Sequence, residues 1–366
     1  MVISMTDDNS TANYSITNTT RTALDGFFDP AWHLALSVEF YFRYAVLAIG
    51  IFGTAANGLV LYALCANIVQ DVKKRVINLL IINQNLLDLS CCILLVITVC
   101  IQLSNISLIG TAGYFLCALF ISDTTTYCVL YGSTIDLVAV TGERYLKVVH
   151  PFWSKKHLKR WMVYAAMVFA WIGGIVYSAI PIFAGARVEN GLCLVMIGSY
   201  QSQYIYGSFN LVLFFFLPLI LFIYCYGRIV FVMRRQMRVM AGHTGEGSSQ
   251  MSASQAQSKR VKWNIIKTMI IVSVSFAICW CPHSILFLVM TNSIQVSALV
   301  VGYYPTVFLV YLNICMNPFI YAMKHDGVKK QLARVIRCHK PSDAGDESGT
   351  SSRTRAGGTQ QMRTVK

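Results

Sequence analysis

The sequence predicts an all-α membrane protein, a bundle of seven transmembrane helices followed by a short amphipathic eighth helix. Three observations predict it. The 366 residues are 55% hydrophobic and 13% charged, with a mean hydropathy of +0.55, whereas a soluble domain carries about 25% charged residues. Apolar runs recur that are long enough to cross a hydrocarbon layer of about 30 Å, which takes about 20 helical residues. Finally, the basic residues gather in alternate connections, as they do on the inner side of a membrane.

The spans read as Tyr41–Asn67, Val76–Leu103, Tyr114–Val148, Trp161–Ala184, Gln203–Met233, Trp263–Thr291 and Val296–Met323. In lipid every backbone polar group must be satisfied internally, which leaves helices or closed barrels. Barrel strands would alternate over about ten residues; these runs are continuous and therefore helical. The chain divides into an extracellular leader (1–40), a transmembrane domain (41–323) with an inner loop at about 234–262, an amphipathic helix (324–338) and a cytoplasmic tail (339–366).

A net charge of +14 raises the question of nucleic acid. Its distribution excludes that class. Among the Lys and Arg residues only Arg21, Arg43 and Arg187 fall outside; the others line the inner connections and the tail, where anionic lipid is sufficient partner. The leader holds no apolar run of signal-peptide length, so the first span is expected to direct insertion. Sequons at Asn9, Asn13 and Asn18 place glycosylation there, agreeing with an outer N-terminus. Residues 242–258, rich in Gly, Ser and Gln, read as a disordered inner loop. After the last span, Leu332, Val335 and Ile336 share one face of a basic helix suited to the inner leaflet, and Cys338 at its end is a palmitoylation candidate or a free thiol. The Ser/Thr-rich tail is open to phosphorylation.

Polar groups inside the spans are costly and mark function by default. Asp88 lies mid-way along the second span, and Asn57, Ser133, Asn313 and Asn317 are expected around it. A carboxylate among hydroxyl and amide oxygens is either a hard-cation site, with sodium as the candidate metal, or a hydrogen-bonded network joining helices. Glu143-Arg144-Tyr145 closes the third span on the basic side; alone it reads as an interfacial snorkelling triplet. Asp136 reads as a carboxyl bonded to a neighbouring helix or protonated. Pro181, Pro218, Pro282 and Pro318 fall inside helices, where each removes a ladder bond and favours a kink. Of twelve cysteines most sit in apolar spans. Cys117 and Cys193 lie on the outer, oxidising side, with Cys100 as a rival partner.

From Tyr41 to Cys338 the chain resembles the rhodopsin-like (class A) G-protein-coupled receptors. The resemblance rests on Asn57 in Ala56-Asn57-Gly58, Asp88 in Asn85-Leu86-Leu87-Asp88, Glu143-Arg144-Tyr145 followed by Pro151, and Trp171. It continues with Pro218 and Tyr226, with Phe276 before Cys279-Trp280-Cys281-Pro282, and with Asn317-Pro318-Phe319-Ile320-Tyr321. It implies that Trp280 is a lever at a pocket floor and Pro282 the kink of the sixth helix. It implies that Arg144, Tyr226 and Tyr321 form the cleft for a heterotrimeric G protein. Asp88, Ser133, Asn313 and Asn317 would hold an allosteric sodium ion, no cofactor being required, and Cys117 would pair with Cys193. The phosphorylatable tail would meet receptor kinases and arrestin.

Some positions depart from the family. Cys117 lies about two residues further from Arg144 than is common, so a longer or distorted outer end of the third span is expected. The usual Trp is missing from residues 110–115. The often acidic position before Pro282 falls near Lys262, which excludes a resting salt bridge from there to Arg144 and predicts agonist-independent signalling. Thr134 replaces a usually apolar contact beside Pro218 and Phe276.

The third-span pocket level falls near Thr126 when counted from Arg144 and near Thr124 when counted from Cys117. Neither is the Asp of amine receptors, and Asp123 sits a turn higher. Tyr311 stands where opsins carry the Schiff-base lysine, so a light sensor is not expected. His283, Phe287, Tyr303, Tyr304 and Phe308 form an aromatic lining suited to a peptide. The pattern is most like receptors for galanin-, allatostatin- or somatostatin-type neuropeptides. A non-peptide small-molecule receptor of the same fold is the alternative. A transporter or channel from another class would need pathways repeated in two halves, which are not seen. Scattered His residues and the lack of any nucleophile–base pair give no catalytic site.

Overall fold

The computed structural model describes the backbone of residues 30–70, 79–104, 106–189, 191–195, 199–242, 253–292 and 297–324. Seven long helical segments occur among them. The first four are Pro30–Gln70, Leu79–Leu103, Gly110–Val149 (broken near its start) and Arg160–Gly185; the last three are Tyr200–Gly242, Ala253–Asn292 and Ser297–Lys324. Six contain an 18-residue stretch apolar enough, by length and composition, to cross a membrane. The seventh is diluted by Tyr303, Tyr304, Pro305, Asn313, Asn317 and Pro318; of these Tyr304, Asn313, Asn317 and Pro318 are buried, whereas Pro305 is exposed.

The bundle has one continuous core. Val46, Leu87, Leu130, Val163, Ile229, Phe276 and Ile314 all belong to it, one from each helix. The first helix packs on the second and seventh, the third on the second, fourth and fifth, and the sixth on the seventh. Outside this core large apolar side chains point away: Phe169 is 66% exposed and Ile223 67%. A soluble protein would bury them; here they are the lipid-facing surface. The third and fourth helices cross closely because Gly174 has no side chain: a Cβ there would lie 2.1 Å from the Cys128 carbonyl oxygen.

The helices overrun the expected span limits. Residues 30–40, assigned to the leader, continue the first helix outward, and residues 253–258, assigned to a disordered loop, begin the sixth. Composition misled at the second site, because Ala253, Gln255, Ala256 and Gln257 tolerate a helix well. Nor is the chain purely helical. After the fourth helix, β1 (Ala186–Glu189) pairs antiparallel with β2 (Leu192–Val195), turning through Gly191 at φ +79. Pro305, not among the prolines the sequence singled out, joins Pro282 and Pro318 as a proline inside a helix. The amphipathic segment 324–338 beyond its first residue, the tail, Cys338, the sequons at Asn9, Asn13 and Asn18, and the Lys262 and Tyr321 side chains lie outside the described residues.

Candidate functional site

At the outer end, Cys117 and Cys193 are joined in a disulfide with a Cα–Cα distance of 5.3 Å. Cys100 remains a free thiol. The expected distortion beside Cys117 is present. A wider π turn spans Cys117–Ile121, with the Ser122 N–H bonding back to the Cys117 carbonyl, and Asp123 then adopts a left-handed conformation at φ 57 before the helix resumes at Thr124. One residue per π turn is surplus to an α-helix, so this break absorbs the extra length between Cys117 and Arg144. Asp123 accepts a 3.2 Å hydrogen bond from Gln102, Arg43 donates to Gln102, and Glu39 accepts from both Arg43 and Tyr304. Four helices are thereby tied together at the rim.

Below the rim lie two small adjoining cavities. Trp280, Asn210 and His283 line both; Phe287 lines the first and Tyr311 the second. The walls are aromatic. Tyr131 lies 4.2 Å from Phe214 and 5.2 Å from Tyr177 between ring centroids, and Tyr177 stacks on Tyr206. Trp280 Nε1 and Asn210 Oδ1 are buried with no hydrogen-bond partner among the described residues. A buried polar atom left unmatched is costly, so these two mark where a ligand group with one acceptor and one donor gains most.

Of the predicted lining residues, Trp280, His283, Phe287 and Tyr311 are brought together. Thr126 is fully buried, but Tyr127 and Tyr131 supply the third helix's contribution instead. Asp123 and Tyr304 belong to the rim network, and Phe308 packs against the core without lining either cavity. Asn210, Phe214 and Phe215 were missed. The Tyr127/Tyr131 pair, four residues apart on one helix face, was the available signal.

Beneath Trp280, whose ring lies 5.4 Å from Phe276, begins a buried polar column. Asp88 accepts from Ser133 (2.7 Å), Gln84 (3.3 Å) and Asn317 (2.7 Å). Asn57, expected around Asp88, bonds elsewhere: it accepts from Asn85 at 3.0 Å and donates to Cys92 Sγ. Asn313 is buried with its Oδ1 unpartnered among the described residues, as are Asn317 Oδ1 and Gln84 Oε1. Gln84 and Asn317 are held against the Asp88 carboxylate by the bonds above, and oxygen is the ligand type that a hard cation takes. No group of three or more His, Cys, Asp and Glu able to hold a metal occurs among the described residues. Asp136 bonds a neighbouring helix as expected: Asn83 donates to it at 2.9 Å, and Trp171 donates to Asn83 at 3.1 Å.

Toward the inner end, Tyr226 and Thr141 share a 3.0 Å hydroxyl–hydroxyl hydrogen bond across the fifth and third helices. Arg144 Nε lies 3.7 Å from Glu143 Oε2, and Lys147 donates to Glu143 Oε1. Tyr145 packs on Tyr224 at 5.9 Å. A π turn at Val212–Phe216 precedes Pro218, whose missing N–H breaks the ladder there. Thr134, the departure beside Pro218 and Phe276, returns its hydroxyl to the Leu130 carbonyl and leaves no polar demand on the core.

Residues 56–321 match the family described as 7 transmembrane receptor (rhodopsin family). The chain belongs to that family. The receptor is 26% identical to the pyroglutamylated RF-amide peptide receptor of Mus musculus over 312 residues, covering 80% of this chain and 68% of that protein. It is 25% identical to galanin receptor 2b of Danio rerio over 303 residues, covering 78% and 72% respectively. To melanopsin-A of Danio rerio it is 27% identical over 306 residues, 80% of this chain, and it spans about half of that protein (49%). The chain is thus a multi-pass membrane receptor for signalling, not an enzyme, with similarity to neuropeptide receptors.

Proposed function

We propose that the receptor binds an extracellular peptide in the cavity above Trp280 and passes the signal to a heterotrimeric G protein at the Arg144 end. The observation that carries this reading is a chain of side-chain contacts from the cavities to the Arg144 end. Trp280 lines both cavities, its ring lies 5.4 Å from Phe276, Phe276 lies 5.6 Å from Phe222 and Phe222 6.5 Å from Tyr226, and the Tyr226 hydroxyl bonds Thr141 one turn before Arg144. A bundle with such a spine has two arrangements, and an agonist outside and a G protein inside favour the same one; each then raises affinity for the other. Peptide is favoured over amine because no carboxylate among the described residues lines either cavity, and because several relatives carry peptide-receptor names. The receptor is placed in the plasma membrane, the positive-inside pattern supporting an N-terminus outside, and the tail is the segment suited to receptor kinases and arrestin.

Asp88, Ser133, Asn313 and Asn317 would hold sodium, which when bound supplies a positive charge that stabilises the Asp88 carboxylate. The residues themselves keep the second, third and seventh helices in register. A neuropeptide library screened against a panel of G-protein dissociation assays tests the proposal. A response to one peptide class is expected; silence across peptides with a response to amines would overturn the ligand reading.

A further inference from the structure

Glu143 is 6% exposed, and its two oxygens are used unequally. Lys147, one turn toward the inner surface, donates a close hydrogen bond to Oε1. Oε2 faces Arg144 Nε at 3.7 Å, too far for a hydrogen bond, and has no hydrogen-bond partner among the described residues. The pairing is built into the helix: a Glu four residues before a Lys is the favoured order for such an ion pair. The Lys147 side chain is 30% exposed and the Glu143 side chain 5%, so Lys147 reaches in from the rim while its ammonium keeps access to water.

We propose that Lys147 is a positioning residue that diverts the Glu143 carboxylate from Arg144 and so lowers the cost of moving Arg144 toward a G protein. This rests on the coupling reading above and concerns the regulation of that same site. The reasoning is electrostatic. A carboxylate shared by two cations holds each less firmly than it would hold one alone, and the second cation repels the first. In the structure Arg144 forms an ion pair with Glu143 at 3.7 Å; with Lys147 on the same carboxylate that restraint is divided. The absence of an acid near Lys262 removes a second restraint, so both act in the same direction.

The experiment uses the full-length receptor in lipid nanodiscs without agonist, with GTPγS uptake measured on the Gα class that the parent turns over fastest. Lys147→Met is expected to lower uptake roughly threefold to fivefold, the factor a partly screened ion pair supplies. Lys147→Arg retains parental uptake. In a Glu143→Gln background Lys147→Met produces no further change, because the shared carboxylate is already neutral. Unchanged or raised uptake in Lys147→Met overturns the proposal, as does a fall that persists in the Glu143→Gln background. The coupling reading is judged separately by Arg144→Ala, which silences uptake if that reading holds. Should the parent give no uptake with any Gα, amide hydrogen exchange at the inner ends of the third and sixth helices decides. Slower exchange in Lys147→Met supports the role, and equal exchange overturns it.

Discussion

Asn317 on the seventh helix donates a 2.7 Å hydrogen bond to Asp88 on the second, although 229 residues separate them. Ser133 reaches the other oxygen of the same carboxylate from the third helix. A single side chain therefore joins three helices, in a fully buried region where unmatched polar groups are costly.

Asp88→Asn keeps the shape of this junction and removes its charge. In the parent receptor, agonist-free nucleotide exchange is expected to fall as sodium chloride replaces choline chloride at constant ionic strength. The variant is expected to lose that dependence, since its neutral amide has no charge to offer a cation. Equal sodium dependence in both would remove Asp88 from the cation site.

Tyr131→Ala deletes a ring in contact with Phe214 and Tyr177 at the cavity wall. An aromatic pair contributes about 1 kcal/mol beyond its buried area. Displacement of a labelled form of whichever peptide activates the receptor should show affinity reduced by about tenfold. Phe308→Ala, outside both cavities, should leave affinity near the parental value; the reverse ranking would place the ligand elsewhere.

Cys193→Ser opens the link between the third helix and β2. Closing a loop this long stabilises by about 4 kcal/mol in the chain-entropy account, so a substantial drop in the thermal unfolding midpoint in detergent is expected. Cys100→Ser, which breaks no bond, should unfold with the parent. A drop in Cys100→Ser with none in Cys193→Ser would mean that Cys117 has the other partner.

The Asp88 junction was legible in the sequence because an acid inside an apolar run has no ordinary reason to be there, and Ser133 and Asn317 lie at matching depth. Gln84 was not, since Asn83-Gln84-Asn85 looks like the polar end of a span rather than three separate contacts. Thr126 was named for the cavity by counting from Arg144. Each helical residue turns the face by about 100°, so an error of one residue exchanged Thr126 for Tyr127. Distance from Arg144 alone cannot show that Cys117–Ile121 winds as a π turn or that Asp123 is left-handed. Those features come from how the outer end is tied by the disulfide and Gln102. Six of the hydrophobic runs, by contrast, need only length and composition to be recognised.

Gly174→Val tests the close crossing of the third and fourth helices. Its Cβ would lie 2.1 Å from backbone that cannot move aside cheaply, so the helices must separate and Trp171 loses its hold on Asn83. Low surface expression and a lowered unfolding temperature are expected, a cost of roughly 1–3 kcal/mol or more by analogy with overpacked cores. Gly58→Ala, with no atom within 4 Å of the new carbon, should express like the parent.

The central claim is that the inner end of this bundle, built around Arg144, activates a G protein. The most direct measurement is GTPγS uptake by purified heterotrimers mixed with the receptor in nanodiscs, comparing the parent with Arg144→Ala at equal amounts of folded protein. The account predicts uptake above an empty-nanodisc control for the parent, even without agonist, and uptake at that control level for the variant. Equal uptake by both, or none from the parent with any Gα class and any activating peptide, would contradict it.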